Sequence, residues 1–258
     1  MMIKSIHKAL KILTLLSENA GESVPLGKIS ERTGFNKSTC AHIMETLEND
    51  GYAVKISHSK GYVLGPAAYC LSNSGRYKND LVTIARPVIN YLYKNLGYCV
   101  VLAIIENDEK YIIDYIDDGS IFKEKKKILR DDIYRTATGR ALLLNLPEEN
   151  IINVYKKFGA PKEKEWDKVK SLADILKLKK EISESDVFFS RTDNGDSLGL
   201  GFAMPFFNDK GCVGAIGIAV NIKTDEERYF SNQEKTIKNV LRKGVGELSR
   251  RLSGVNLA

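Results

Sequence analysis

Apolar positions recur at three- and four-residue intervals through the first part of the chain, and farther on short apolar runs bounded by turn residues appear as well, so the element type changes along it. Residues 3–17 carry Ile6, Leu10, Leu13 and Leu16, with Ala9 between them, and this stripe is expected to face two later helices. Leu26 and Ile29 carry the helical period through residues 25–33. Gly34 ends it, because glycine accepts the left-handed turn that a helix C-terminus often needs. Asn36 then stands where a cap belongs, and Cys40, Ile43, Met44 and Leu47 form the inner stripe of a helix running to about residue 50. Turning that stripe inward leaves Lys37, Ser38, Ala41, His42 and Glu45 outside. Alternating Tyr52, Val54 and Ile56, a turn over 58–61, and then Tyr62 and Leu64 predict a two-stranded hairpin with Lys55 on one strand and Lys60 at its tip. Three helices and a basic hairpin predict a winged helix-turn-helix domain over residues 1–75.

Beyond it, residues 66–74 predict a short helix and Asn73-Ser-Gly75 a break. Leu81, Ile84, Val88, Leu92 and Leu96 are in helical phase over 79–96, as a lever joining two domains, as the first helix of the second, or as both. Strands are predicted over 98–105 and 111–116 around a turn at 106–110, and again over 200–207 and 212–220 around a turn at 208–211. Helical stretches are expected over 139–146, 147–158 and 167–183. Hairpins interrupted by helices predict an α+β second domain, an antiparallel sheet with helices packed on it, over 76–258.

A 43% hydrophobic content supports packed cores, and the formal charge of +6 suits nucleic-acid contact without singling it out. No run approaches the roughly 20 apolar residues of a membrane span, and no signal-peptide core is visible, so a soluble cytoplasmic protein without membrane partners is expected. Cys40, Cys70, Cys99 and Cys212 are scattered without a Cys-x-x-Cys pair, which argues against a zinc ribbon or a disulfide scaffold. Phe122-Lys-Glu-Lys-Lys-Lys127 reads as a solvated loop or edge strand. Ser5-Ile-His-Lys8 fits an acylation pattern without its partner motifs, and Gly199-Leu-Gly201 is too short for a dinucleotide fingerprint. No cofactor or metal is indicated. The carboxylates Asp114, Asp117, Asp118 and Asp193 are the remaining route to catalysis, if they converge.

The outer face of the third helix suits a major groove. Lys37, Ser38, Thr39 and His42 are positioned to meet base edges and phosphates, and Lys55, Lys60 and Tyr62 to meet the backbone from the wing. Glu45 is awkward there, since it repels phosphates. In the second domain, Thr136-Ala-Thr-Gly-Arg140 opens into the apolar run Ala141-Leu-Leu-Leu144. Thr136 or Thr138 can cap that helix, and its free N–H groups offer an anion site, or the loop is an ordinary cap.

These residues together resemble the IclR-type bacterial transcription regulators. The resemblance rests on residues 5–13, Asn36-Lys-Ser-Thr39, Tyr62-Val-Leu-Gly65, Thr136-Ala-Thr-Gly-Arg-Ala141 and Ala203-Met-Pro205, in that order along nearly the whole chain. It implies a GAF-like effector domain behind a linker helix, a double-stranded DNA operator, a small-molecule effector, and a homodimer or dimer of dimers. Carried over by position, the effector site comprises Thr136, Ala137, Thr138, Gly139, Asp193, Gly201, Gly217 and Ala219. Gly217 and Ala219 stand where several relatives have serines that hold a small acid. A Gly/Ala wall offers volume without hydroxyl donors, so a bulkier, partly apolar or aromatic acid is expected, or a site that has lost its ligand. His42 replaces a usual Arg and Arg140 a usual Lys. The expected function is an operator-binding regulator controlled by an effector. A ligand-independent regulator and an enzyme carrying a helix-turn-helix module are the alternatives.

Overall fold

Helix α1 (Lys4–Ser17) buries only part of the stripe that its spacing predicts: Leu16 lies in the core and Leu13 at its margin. Ile12, Leu15 and Leu16 are inside, whereas Ile6 and Leu10 are 54% and 57% exposed. The helix carries two apolar arcs: at about 100° per residue, Ile3, Ile6 and Leu10 fall away from Ile12, and only the Ile12 arc meets α2 (Leu26–Thr33) and α3 (Lys37–Asn49). The computed structural model describes residues 2–19, 22–57, 60–72, 79–117 and 133–255. The chain divides into two compact units, Met1–Tyr77 and Lys78–Ala258. The expected break at 73–75, the tip residues 58–59, Asp118 and the charged run 122–127 lie outside the described residues.

In the first unit Gly34 ends α2 in the left-handed region (φ 73°), and Asn36 caps α3, its side chain accepting the Thr39 N–H at 2.7 Å. Cys40, Met44 and Leu47 enter a core shared with Ile29, Val24 and Ala53, and Ile43 lies at its margin. Strands β1 (Ala53–Ser57) and β2 (Gly61–Leu64) form the wing. Val24 and Tyr62 exchange two backbone hydrogen bonds, at 2.8 and 3.0 Å, which ties the wing to the segment before α2. Gly61 is required there: φ is 92° and a Cβ would lie 2.2 Å from the Val24 oxygen. Helix α4 (Pro66–Ser72) follows.

The second unit is built on a five-stranded antiparallel sheet in the order β4-β3-β7-β6-β5. Its strands are β3 (Cys99–Glu106), β4 (Glu109–Ile116), β5 (Phe188–Asp193), β6 (Ser197–Asn208) and β7 (Gly211–Lys223). Asn107 and Asp108, both at positive φ, make a two-residue turn, so the first hairpin is tighter than expected and Lys110 is a strand residue. Helices α5 (Asn79–Leu96) and α9 (Ser231–Leu252) close over one face, burying Val88, Leu92, Phe202, Ile218 and Leu241. Helices α6 (Ala137–Leu144), α7 (Glu148–Phe158) and α8 (Leu172–Glu181) build the layer on the other. Helix α8 starts five residues later than its apolar pattern suggests, because Ser171 and Asp174 form a reciprocal capping box. Strand β5 and helix α9 go beyond the predicted set.

Candidate nucleic-acid interface and effector site

The Asn36 cap fixes the start of α3, and from there Lys37, Ser38 and His42 stand exposed with Thr39 half-buried behind them. Ala41 is half-buried and Glu45 exposed on the same outer side. At the wing, Lys60 is exposed and Lys55 is half-buried, its ammonium 5.7 Å from the centre of the Tyr62 ring. Tyr62 departs from expectation. It is only 8% exposed and packs in the core, because pairing with both Val54's strand and Val24 turns its ring inward. It supports Lys55 instead of presenting a free surface.

In the second unit the sheet face under α6 carries Gly201, Ala203, Ala215 and Gly217, and α6 lies close upon it with Ala137, Thr138 and Ala141. This gathers Thr136, Ala137, Thr138, Gly139, Gly201 and Gly217, with half-buried Ala219 two register positions beyond Gly217, opposite Gly201. The volume expected along that wall is filled. A Cβ on Gly217 would lie 2.4 Å from Thr138 Cγ2, and one on Gly201 would lie 2.4 Å from Ser190 Oγ. The small residues serve close helix–sheet packing.

The helix start is likewise largely occupied. Thr136 is the cap, its Oγ1 accepting the Gly139 N–H at 3.2 Å, and the Ala137 N–H goes to Ser190 Oγ at 3.0 Å. The Arg140 N–H bonds the Thr136 carbonyl. Two polar residues absent from the expected set thus enter the site. Ser190 comes from β5, and Lys110, 1% exposed, donates from β4 to Thr136 Oγ1 at 2.9 Å. A lysine at a hairpin turn and a serine in a mixed polar stretch carry no signal of such burial.

Arg140 is a clamp. Its guanidinium donates to the carbonyls of Tyr134 (2.8 Å), Phe189 (2.7 Å) and Glu165 (2.7 Å), and stands 5.1 Å from the Trp166 ring. Burial lowers its pKa to about 10. Beside it, Tyr134 donates to the Gly159 carbonyl at 2.9 Å, and burial pushes its hydroxyl up to about 12.

Asp193 does not join this site. It is exposed at the end of β5, where Oδ1 accepts the Gly195 N–H at 2.9 Å, and three residues along a strand put it on the opposite face from Ser190. Nor do Asp114 and Asp193 converge. Asp114 is on β4, paired with Arg86 of α5, while Asp193 is on β5 at the other edge of the sheet.

A winged helix-turn-helix unit followed by an antiparallel, helix-covered sheet is the architecture of a two-domain DNA-binding regulator. Residues 5–57 match the IclR helix-turn-helix domain, and residues 77–250 match the bacterial transcriptional regulator IclR C-terminal domain; the chain belongs to the IclR family. It is similar to the transcriptional repressor IclR of Escherichia coli strain K12, 22% identical over 160 residues, 61% of this chain and 58% of the repressor. The HTH-type transcriptional regulator TtgV of Pseudomonas putida is 27% identical over 150 residues, 58% of this chain and 57% of that one. The chain thus spans a little over half the length of these curated relatives. Among solved structures, an IclR transcriptional regulator from Alicyclobacillus acidocaldarius has the same fold, with a TM-score of 0.70 at 21% identity over 97% of this chain and 99% of that one. So does an IclR homolog complexed with 4-hydroxybenzoate from Microbacterium hydrocarbonoxydans, at 0.70 and 14%, over 96% and 98%.

Proposed function

We propose that this protein is a transcription regulator that binds a double-stranded DNA operator through α3 and the wing, and whose operator affinity answers to a small organic or aromatic acid in the second unit. The observation that carries the first part is the outer face of α3: Lys37, Ser38 and His42 exposed beside a capped helix start, with Lys60 at the wing. Base edges meet the N-terminal residues of such a helix, and lysines at its margin meet phosphates. The reading needs no catalysis, cofactor or metal. Among the described residues no helix is long and apolar enough to cross a membrane, and DNA as target makes the cytoplasm the working compartment. A homodimer or dimer of dimers matches palindromic operators, and the exposed Ile6 and Leu10 of α1, with Ile3 just before it, offer a second copy an apolar contact. Selection of bound fragments from genomic DNA tests the DNA reading. A recurring sequence, bound more tightly than its scrambled version, is expected; enrichment of no sequence contradicts it.

The acid class is supported by the relative complexed with 4-hydroxybenzoate. The filled space in front of Gly201 and Gly217 favours a second reading, a regulator that needs no ligand. Thermal unfolding with a panel of small organic and aromatic acids separates the two, since a ligand at 100 times its Kd adds about 2.7 kcal/mol of stability. A shift with one acid supports effector control; no shift across the panel supports the ligand-free regulator.

A further inference from the structure

Two ammonium groups stand beside the start of the recognition helix. Lys8 and Lys11 lie one helical turn apart on a single face of α1, with Lys4 a turn earlier. Lys8 Nζ is 5.3 Å and Lys11 Nζ 5.9 Å from the centre of the Phe35 ring. Phe35 sits in the turn between Gly34 and Asn36, and its carbonyl accepts from Ser30 Oγ at 2.6 Å, which holds that turn. The ring thereby brings both charges to the residue before the α3 cap, two positions from exposed Lys37.

No carboxylate among the described residues pairs with this concentration of positive charge. Among the described residues neither Lys8 nor Lys11 enters an ion pair, and Glu18, just beyond α1, is taken by Arg32 at 2.9 Å. A helix N-terminus adds about half a positive charge, and the Lys37 ammonium adds a full one. A cation over an aromatic ring at an exposed site gains only about 0.5–1 kcal/mol, which orients the ammonium without neutralising it. Uncompensated like charges gathered on one surface repel each other and attract a polyanion.

We propose that Lys8 and Lys11, seated on Phe35, form a phosphate clamp that grips the DNA backbone beside the groove α3 enters; this rests on the DNA-binding reading above. Side chains three apart on a helix are about 5–6 Å apart at Cβ, a spacing suited to neighbouring phosphates of one strand. Backbone contacts fix orientation and carry no sequence information. The clamp therefore sets how α3 lies in the groove while its own contribution is the same on any duplex.

The test is a salt titration of binding, by fluorescence anisotropy, on the selected operator and on a scrambled duplex of equal length. The full-length Lys8→Gln, Lys11→Gln variant is compared with wild type and with Lys8→Arg, Lys11→Arg. Two lost phosphate contacts flatten the slope of log K against log salt by about 1.8, at about 0.9 per contact. Between about 50 and 200 mM salt the wild-type advantage then shrinks about twelvefold. The loss is expected to be equal on both duplexes, and the arginine pair restores the slope. An unchanged slope in a glutamine variant that melts like wild type overturns the clamp, as does a loss confined to the operator. If wild type shows no preference for the operator, the regulator reading fails, and the slopes on the scrambled duplex still decide the clamp.

Discussion

At Gly217 a single methyl group decides how closely α6 can approach the sheet. A side chain there meets Thr138 Cγ2 at 2.4 Å and Val101 Cγ2 at 3.0 Å, both in a packed interior. Gly217→Ser is expected to destabilise the second unit by about 1–3 kcal/mol, the usual cost of overpacking. Urea unfolding measures it. Adding Thr138→Ser removes the opposing methyl and should recover part of the loss, because residues in contact do not act additively. No loss at all means that the space is open, and a loss without recovery means that Thr138 is not the group that fills it. This is where the residue scale defeats sequence reading. The Gly and Ala positions were legible as a wall of small residues, but composition cannot say whether a ligand or a helix fills the room they leave. Tyr62 shows the same limit: alternation in a hairpin marks faces, and the bridge to Val24 that buries its ring is made by a segment far away in sequence.

Among the elements, those with one buried face were plain in the sequence. Helices α3 and α5 fall close to their predicted bounds because each pattern has one period and one side, and the two apolar hairpins because turn residues bound their apolar runs. Helix α1 misled, having two apolar arcs, and β5 escaped because an edge strand with exposed Phe189, Arg191 and Asp193 reads as loop. The junction that ties β5 to α6 is Arg140, whose planar fork reaches three carbonyls at once. Arg140→Lys keeps the charge but not the fork. It is expected to cost about 1–3 kcal/mol, read by chemical denaturation, with a near-neutral result arguing that the clamp is dispensable. Beside it, Tyr134 supplies a pH test. Burial raises its hydroxyl from 10.0 to about 12, so the folded protein holds a proton that the unfolded chain has already released. Its contribution is complete below about pH 10 and is lost as pH climbs from about 10 to about 12. Tyr134→Phe should show a shallower decline than wild type across that window, and parallel curves would refute the assignment.

On the scale of the whole molecule, the order of matched segments along the chain was enough to indicate the family, and the two units bear it out. Assembly is where one chain is silent, and the exposed arc of α1 is the lead. Ile6→Glu with Leu10→Glu should lower the mass found by sedimentation equilibrium, since charges replace the apolar side chains offered to a second copy. An unchanged oligomer would put the contact elsewhere. The most direct measurement is operator affinity at fixed salt for wild type and for Lys37→Ala, His42→Ala, both changes lying on the exposed face of α3 and outside the core. The prediction is a wild type that prefers the selected operator over scrambled DNA and a folded variant that loses that preference. A variant that discriminates as well as wild type would contradict the assignment of α3 as the element that reads DNA.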